Sequence, residues 1–99
     1  MNYIIIFSSS VEAEIQQSYD WYEEQKSNLG ERFLNIIESS IQAISKYPEA
    51  FPLKLGTFRE YVVPKFPYVI VYELIPEKGL IYILHVFNTY LNPNRKREV

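Results

Sequence analysis

Residues 66–90 read FPYVIVYELIPEKGLIYILHVFNTY, and the fold is decided there. Two runs rich in valine, isoleucine, tyrosine and phenylalanine, Phe66 to Ile75 and Leu80 to Tyr90, are parted by Pro76-Glu77-Lys78-Gly79, residues that turn a chain. Branched and aromatic side chains suit a pleated surface, so the segment predicts two paired antiparallel strands. A third run of the same kind, Phe58 to Val63, ends at Pro64 and extends the pair into a meander.

Upstream of Pro48 the apolar period lengthens. Phe33, Ile36, Ile37, Ile41 and Ile44 recur at three- and four-residue steps and predict a helix ending at Tyr47-Pro48, because the residue before a proline is pushed out of helical geometry. Val11, Ile15, Tyr19 and Tyr22 mark an earlier helix to about Lys26, and Ser27-Asn28-Leu29-Gly30 breaks the two apart. Ser9-Ser10-Val11-Glu12 has the spacing of a capping box at its start. So short a connection makes the helices pack antiparallel.

Tyr3 to Phe7 is a short β-forming run that stops at Ser8-Ser9-Ser10. An isolated strand leaves its backbone groups unpaired, so this one is expected in the same sheet as the meander. The order β-α-α-β-β-β then gives an α+β domain over residues 1–99, with a helical hairpin on one face of an antiparallel-rich four-stranded sheet.

With 47% apolar and 16% aromatic residues in 99, the chain buries a core without staples. It contains no cysteine and a single histidine, His85, so neither a disulfide nor a metal is expected, and no cofactor is. The apolar runs fall far short of the roughly 20 residues that span a bilayer, and Met1-Asn2-Tyr3 lacks the basic start of an export signal. No membrane association and a cytoplasmic location are the expectation.

The net charge of −2 and pI of 5.4 conceal an asymmetry. Residues 1–50 hold eight acids and three bases, whereas residues 51–99 hold four acids and seven bases. Nucleic-acid binding usually rests on a strong basic patch, and only Arg95-Lys96-Arg97 clusters in that way.

Nucleophilic catalysis is poorly served. His85 sits mid-strand between Leu84 and Val86, where a hydrogen-bonded structural histidine is expected, and no serine stands in an elbow motif. Asp20, Glu23, Glu24 and Glu31 gather near the helical turn as a solvated face. Gly30, Gly56 and Gly79 stand alone and form no phosphate loop. Tyr61, Tyr68, Tyr72, Tyr82, Phe87 and Tyr90 exceed what one helical hairpin covers, so part of this set is expected to face outward as a binding surface, with Arg59 and Lys65 beside it.

Five stretches in register resemble the RelE/ParE toxin superfamily: Ser18-Tyr19-Asp20-Trp21-Tyr22-Glu23-Glu24-Gln25, Leu29-Gly30-Glu31-Arg32-Phe33, Ile44 with Tyr47-Pro48-Glu49-Ala50-Phe51-Pro52, Arg59 with Lys65-Phe66-Pro67-Tyr68-Val69-Ile70-Val71-Tyr72-Glu73, and Val86-Phe87-Asn88-Thr89-Tyr90-Leu91-Asn92-Pro93. The resemblance covers nearly the whole chain. It implies the same fold and a role as the toxin of a bacterial type II toxin–antitoxin pair, associated with plasmid stabilisation and growth inhibition. It also implies a cognate antitoxin whose carboxy-terminal segment masks the toxin. Such segments are typically acidic and fold on binding, which suits the basic second half. Operator DNA is reached only through the antitoxin.

Superfamily members resembling this chain either cut messenger RNA on the ribosome or, in the ParE branch, poison DNA gyrase. Aligned on Tyr68 and Tyr72, the cations of the ribonuclease branch fall at Glu60, Val62, Val69 and Thr89, and its terminal tyrosine falls near Arg95. None of the four is basic and no tyrosine follows Tyr90, so phosphate stabilisation is lost and the resemblance implies a toxin that is not an active ribonuclease. The ParE-like ending V-F-H-x-x-R-x-P is altered to Asn88 and Leu91. Three readings stay open: a ParE-like toxin acting on gyrase, a ribosome-dependent ribonuclease with relocated groups, and a weakened toxin that only binds its antitoxin. Arg59, Lys65, Tyr68, Asn88 and Tyr90, with Arg95, Lys96 and Arg97 as auxiliary charge, are the expected target- or antitoxin-binding residues.

Overall fold

The computed structural model describes residues 2–90. In chain order the elements are β1 (Ile4–Phe7), α1 (Ser9–Gln25), α2 (Leu29–Lys46), β2 (Leu53–Leu55), β3 (Phe58–Val62), β4 (Tyr68–Ile75) and β5 (Leu80–Asn88), with a 3-10 turn at Pro76–Lys78. The strands form one sheet ordered β1-β5-β4-β3-β2, antiparallel throughout except that β1 lies parallel to β5. The meander and the inclusion of the first strand are as the sequence predicts.

The sheet has five strands where four were expected. The extra one, β2, pairs with β3 at the edge, and all three of its residues are exposed. Leu53-Lys54-Leu55 does alternate apolar and polar, but three residues are too few for a strand period to stand out from the surrounding chain.

The helical hairpin turns at Asn28, whose φ of 72° is left-handed. The Glu23 carboxylate accepts the amides of Asn28 and Glu31, each at 3.3 Å, and so covers free N–H groups at the start of α2. Glu23, read from sequence as part of a solvated face, is thus a helix cap. Gly30 lies where the helices cross. A methyl group built on it would stand 2.6 Å from Glu23 Cγ and 2.8 Å from the Tyr19 carbonyl oxygen, so only glycine allows this approach.

The capping box expected at Ser9 does not form. Ser8 is the N-cap and makes no side-chain bond to the helix amides; its hydroxyl donates instead to the Leu84 carbonyl at 2.8 Å. That bond satisfies a half-buried strand carbonyl and orients the hydroxyl toward β5.

Both helices lie on one sheet face. Val11, Tyr22, Phe33, Ile37 and Ile44 pack there against Tyr68, Ile70, Tyr72, Ile81, Ile83 and Val86. The second face carries its own cluster of Val69, Val71 and Phe87 with Phe58 and Leu84. Tyr61 also turns to the helix side, ring to ring with Phe51 at 4.8 Å, so of the strand aromatics singled out above Tyr82 and Phe87 take the second face.

A bulge in β5 sets this division. Val71 pairs with His85 and Tyr72 with Ile83, leaving Leu84 as an extra residue. Strict alternation from Ile81 and Ile83 would turn His85 and Phe87 to the helices. The extra residue resets the phase, so Val86 takes the helix side and Phe87 the other.

Candidate partner-binding groove

Beyond Phe7 the strand β1 stops while β5 runs on to Asn88, and this freed edge is closed by α1. The Ser8 amide donates to Ile83 O at 2.9 Å. Further along, the Glu14 carboxylate accepts the Val86 amide through Oε1 at 2.9 Å and contacts His85 Nδ1 through Oε2 at 3.2 Å. His85 also stacks on Phe87, with ring centroids 4.8 Å apart. It is the hydrogen-bonded strand histidine that the sequence predicts.

Past Glu14 the helix and the strand leave a groove of about 580 Å³ between them. Glu14, Gln17, Ser18, Trp21 and Tyr22 supply one wall, spaced so that they share one helix face. Pro67, Tyr68 and the end of β5, Val86 to Asn88, supply the other, with Tyr90 at the rim.

Tyr22 and Tyr68 rest on an aromatic cluster behind the groove: Phe33 lies 4.9 Å from Tyr68 and 5.3 Å from Tyr22 between ring centroids, and Phe66 stands edge-on to both Tyr22 and Phe33. Burial beside Tyr68 pushes the Tyr22 phenol well above its ordinary pKa. The Tyr68 hydroxyl donates to Ser18 Oγ at 2.8 Å, locking one wall to the other. At the rim, Asn88 Oδ1 accepts the Tyr90 amide at 2.9 Å and Thr89 donates its amide to Pro67 O at 2.8 Å, so the chain turns there and leaves Tyr90 83% exposed.

Three of the residues predicted from sequence therefore meet: Tyr68, buried but for its place in the groove wall, half-buried Asn88 and exposed Tyr90. Two do not join them. Arg59 projects to the helix side of β3, where Nη1 donates to Phe51 O at 2.7 Å and Glu49 O at 3.3 Å. Lys65 is exposed in the β3–β4 loop with a left-handed φ of 70°. Arg95, Lys96 and Arg97 lie outside the described residues.

Sequence reading missed Glu14, Gln17, Ser18, Trp21 and Pro67 as groove residues. The available signal was Trp21, a large apolar residue off the Val11-Ile15-Tyr22 stripe of its helix and hence left without a core to enter.

A shallower recess on the second face is lined by Ser8, Ser10, Phe58, Glu73, Leu84 and His85. Among the described residues no three of histidine, aspartate and glutamate stand together as metal ligands. None of the described helices is long and apolar enough to cross a membrane.

The family described as "ParE toxin of type II toxin-antitoxin system, parDE" matches residues 5–89. No curated protein matches the sequence. Among solved structures, the chain is similar to one of a chromosomal ParDE toxin–antitoxin system from P. aeruginosa, at TM-score 0.64 and 13% identity over 87% of this chain and 95% of that one. It is similar at the same TM-score to an arginine-to-alanine double variant of the E. coli toxin RelE in the free state, 17% identical over 98% of this chain and 94% of that one. The isolated E. coli RelE toxin gives a TM-score of 0.59 at 17% identity, over 98% of this chain and 99% of that one. At such identities these structures establish the shared fold, and the family match, which runs from Ile5 within β1 to Thr89, establishes kinship: this chain belongs to the ParE toxin family of type II toxin–antitoxin systems.

Proposed function

We propose that this toxin acts by binding a protein target, DNA gyrase being the family expectation, and that a cognate antitoxin neutralises it by covering the same surface. The observation that carries the reading is the placement of charge. β4 and β5 contain no lysine or arginine, and the one cation of β3, Arg59, spends its guanidinium on the carbonyls of Phe51 and Glu49. Cleaving RNA needs cations aimed at the reacting phosphate, and β3, β4 and β5 offer no free one. Tyr68, Asn88 and Tyr90, brought together in an aromatic groove, fit protein recognition, with Lys65 and Arg95 to Arg97 as auxiliary charge. The cytoplasm is the compartment this reading implies, and operator DNA is met through the antitoxin.

Expression without the neighbouring antitoxin gene should arrest growth with signs of DNA damage, and the purified chain should inhibit gyrase supercoiling. Codon-positioned cuts in messenger RNA, mapped by primer extension, would instead assign the chain to the ribonuclease branch. Tight antitoxin association with no growth defect would leave a binding module.

A further inference from the structure

We propose that the groove between α1 and β5 receives a basic side chain, arginine or lysine, carried on an apolar stretch of a partner protein. The inference rests on the protein-binding reading above and names the chemistry of the segment that this groove takes.

Two observations converge. The first is exposed aromatic surface. Trp21 is 56% and Tyr90 83% exposed, and both line the groove. Trp21 is also held, edge-on to Tyr22 at 5.1 Å, and the Asn88 turn fixes the backbone of Tyr90. Both rings offer apolar area, and aromatic faces attract a cation.

The second is charge. Ser9 to Gln25 carries Glu12, Glu14, Asp20, Glu23 and Glu24 without a single lysine or arginine, and among the described residues no lysine or arginine lines the groove. Of these acids Glu14 lines the groove, and Glu24 has no ion pair among the described residues. Glu24 continues the Gln17-Trp21 stripe one turn on, by helical spacing. Glu14 holds Val86 and His85, yet a carboxylate has about four acceptor sites and keeps capacity for another donor. An acidic segment laid here would meet like charge, whereas a basic one gains both the carboxylates and the ring faces. A partner that places acidic residues on the basic second half must therefore present the opposite sign to α1.

Trp21 is the sole tryptophan, so its emission reports on the groove directly. A random dodecapeptide phage library should be panned on the full chain and counter-selected on Gln17→Lys, a change at an exposed groove residue. Enriched peptides should carry arginine or lysine beside an aromatic or leucine and shift the Trp21 emission. They should lose affinity about tenfold on Gln17→Lys or on replacement of the basic residue by glutamate, and weaken as salt rises.

Enrichment of acidic peptides, binding that leaves Trp21 emission unchanged, or no enrichment overturns the proposal. So does a Trp21 shift that follows protein concentration alone, which makes the occupant a second copy, or peptide binding that appears only when residues 91–99 are removed, which makes it this chain's own basic end. Growth arrest and antitoxin association test the toxin reading separately, so a failure of either is distinguishable from a failure here.

Discussion

The Glu14 carboxylate accepts the backbone amide of Val86 at 2.9 Å, a side chain of α1 completing a strand of the sheet. It stands where a further residue of β1 would have paired, and it aligns the helix wall of the groove with the strand wall. Removing it leaves a half-buried donor without a partner, at a cost of about 1–3 kcal/mol. Glu14→Ala should lower the urea midpoint accordingly, while Glu14→Gln, which keeps an acceptor oxygen, should recover most of the loss.

Gly30 should not tolerate even alanine. Alanine is the better helix former by about 1 kcal/mol, but its methyl group would meet the Tyr19 carbonyl oxygen at 2.8 Å, and backbone cannot move aside as a side-chain tip can. Overpacking of this kind costs about 1–3 kcal/mol, so Gly30→Ala should lower the melting temperature despite the propensity gain.

Tyr72 is fully buried and its hydroxyl donates to Pro48 O at 2.6 Å, fastening β4 to the segment that follows α2. Burial raises its phenol to about 12, with Arg59 pulling the other way. The folded state therefore holds this proton more tightly than the unfolded chain does. Its contribution is complete below about pH 10 and is lost as pH rises toward 12. Tyr72→Phe should cost about 1 kcal/mol at neutral pH and flatten the decline in stability above pH 10, as followed by urea unfolding across a pH series.

Arg59→Ala and Tyr90→Ala should part company. Arg59 ties Phe51 and Glu49 to β3, so its loss should destabilise the fold by about 1–2 kcal/mol. Tyr90, 83% exposed, should leave stability within about 0.5 kcal/mol of the parent yet relieve growth arrest. Comparing thermal unfolding with growth curves for the two variants checks this; full toxicity in Tyr90→Ala would remove that residue from the binding surface.

Much of the architecture was legible because local pattern carries it. The three- and four-residue spacing of Phe33, Ile37 and Ile44 and the β-branched runs around Ile70 and Ile83 report which faces seek burial, and Pro48 and Pro76 report where the chain must stop. β2 escaped notice because three residues are too short a run to show such a pattern.

The sequence by itself determined the order of elements, the antiparallel meander, the scarcity of cations on the central strands and the kinship that residues 5–89 establish. Only the tertiary structure decided that Leu84 bulges out of register, that Ser8 and Glu14 serve the edge of β5 rather than their own helix, that Arg59 turns inward, and that Trp21 and Tyr90 flank one groove. The division has a physical cause. Periodicity records a residue's own preference for water or core, whereas a hydrogen bond between positions 14 and 86 depends on how the whole chain closes, and no local window contains both ends of it.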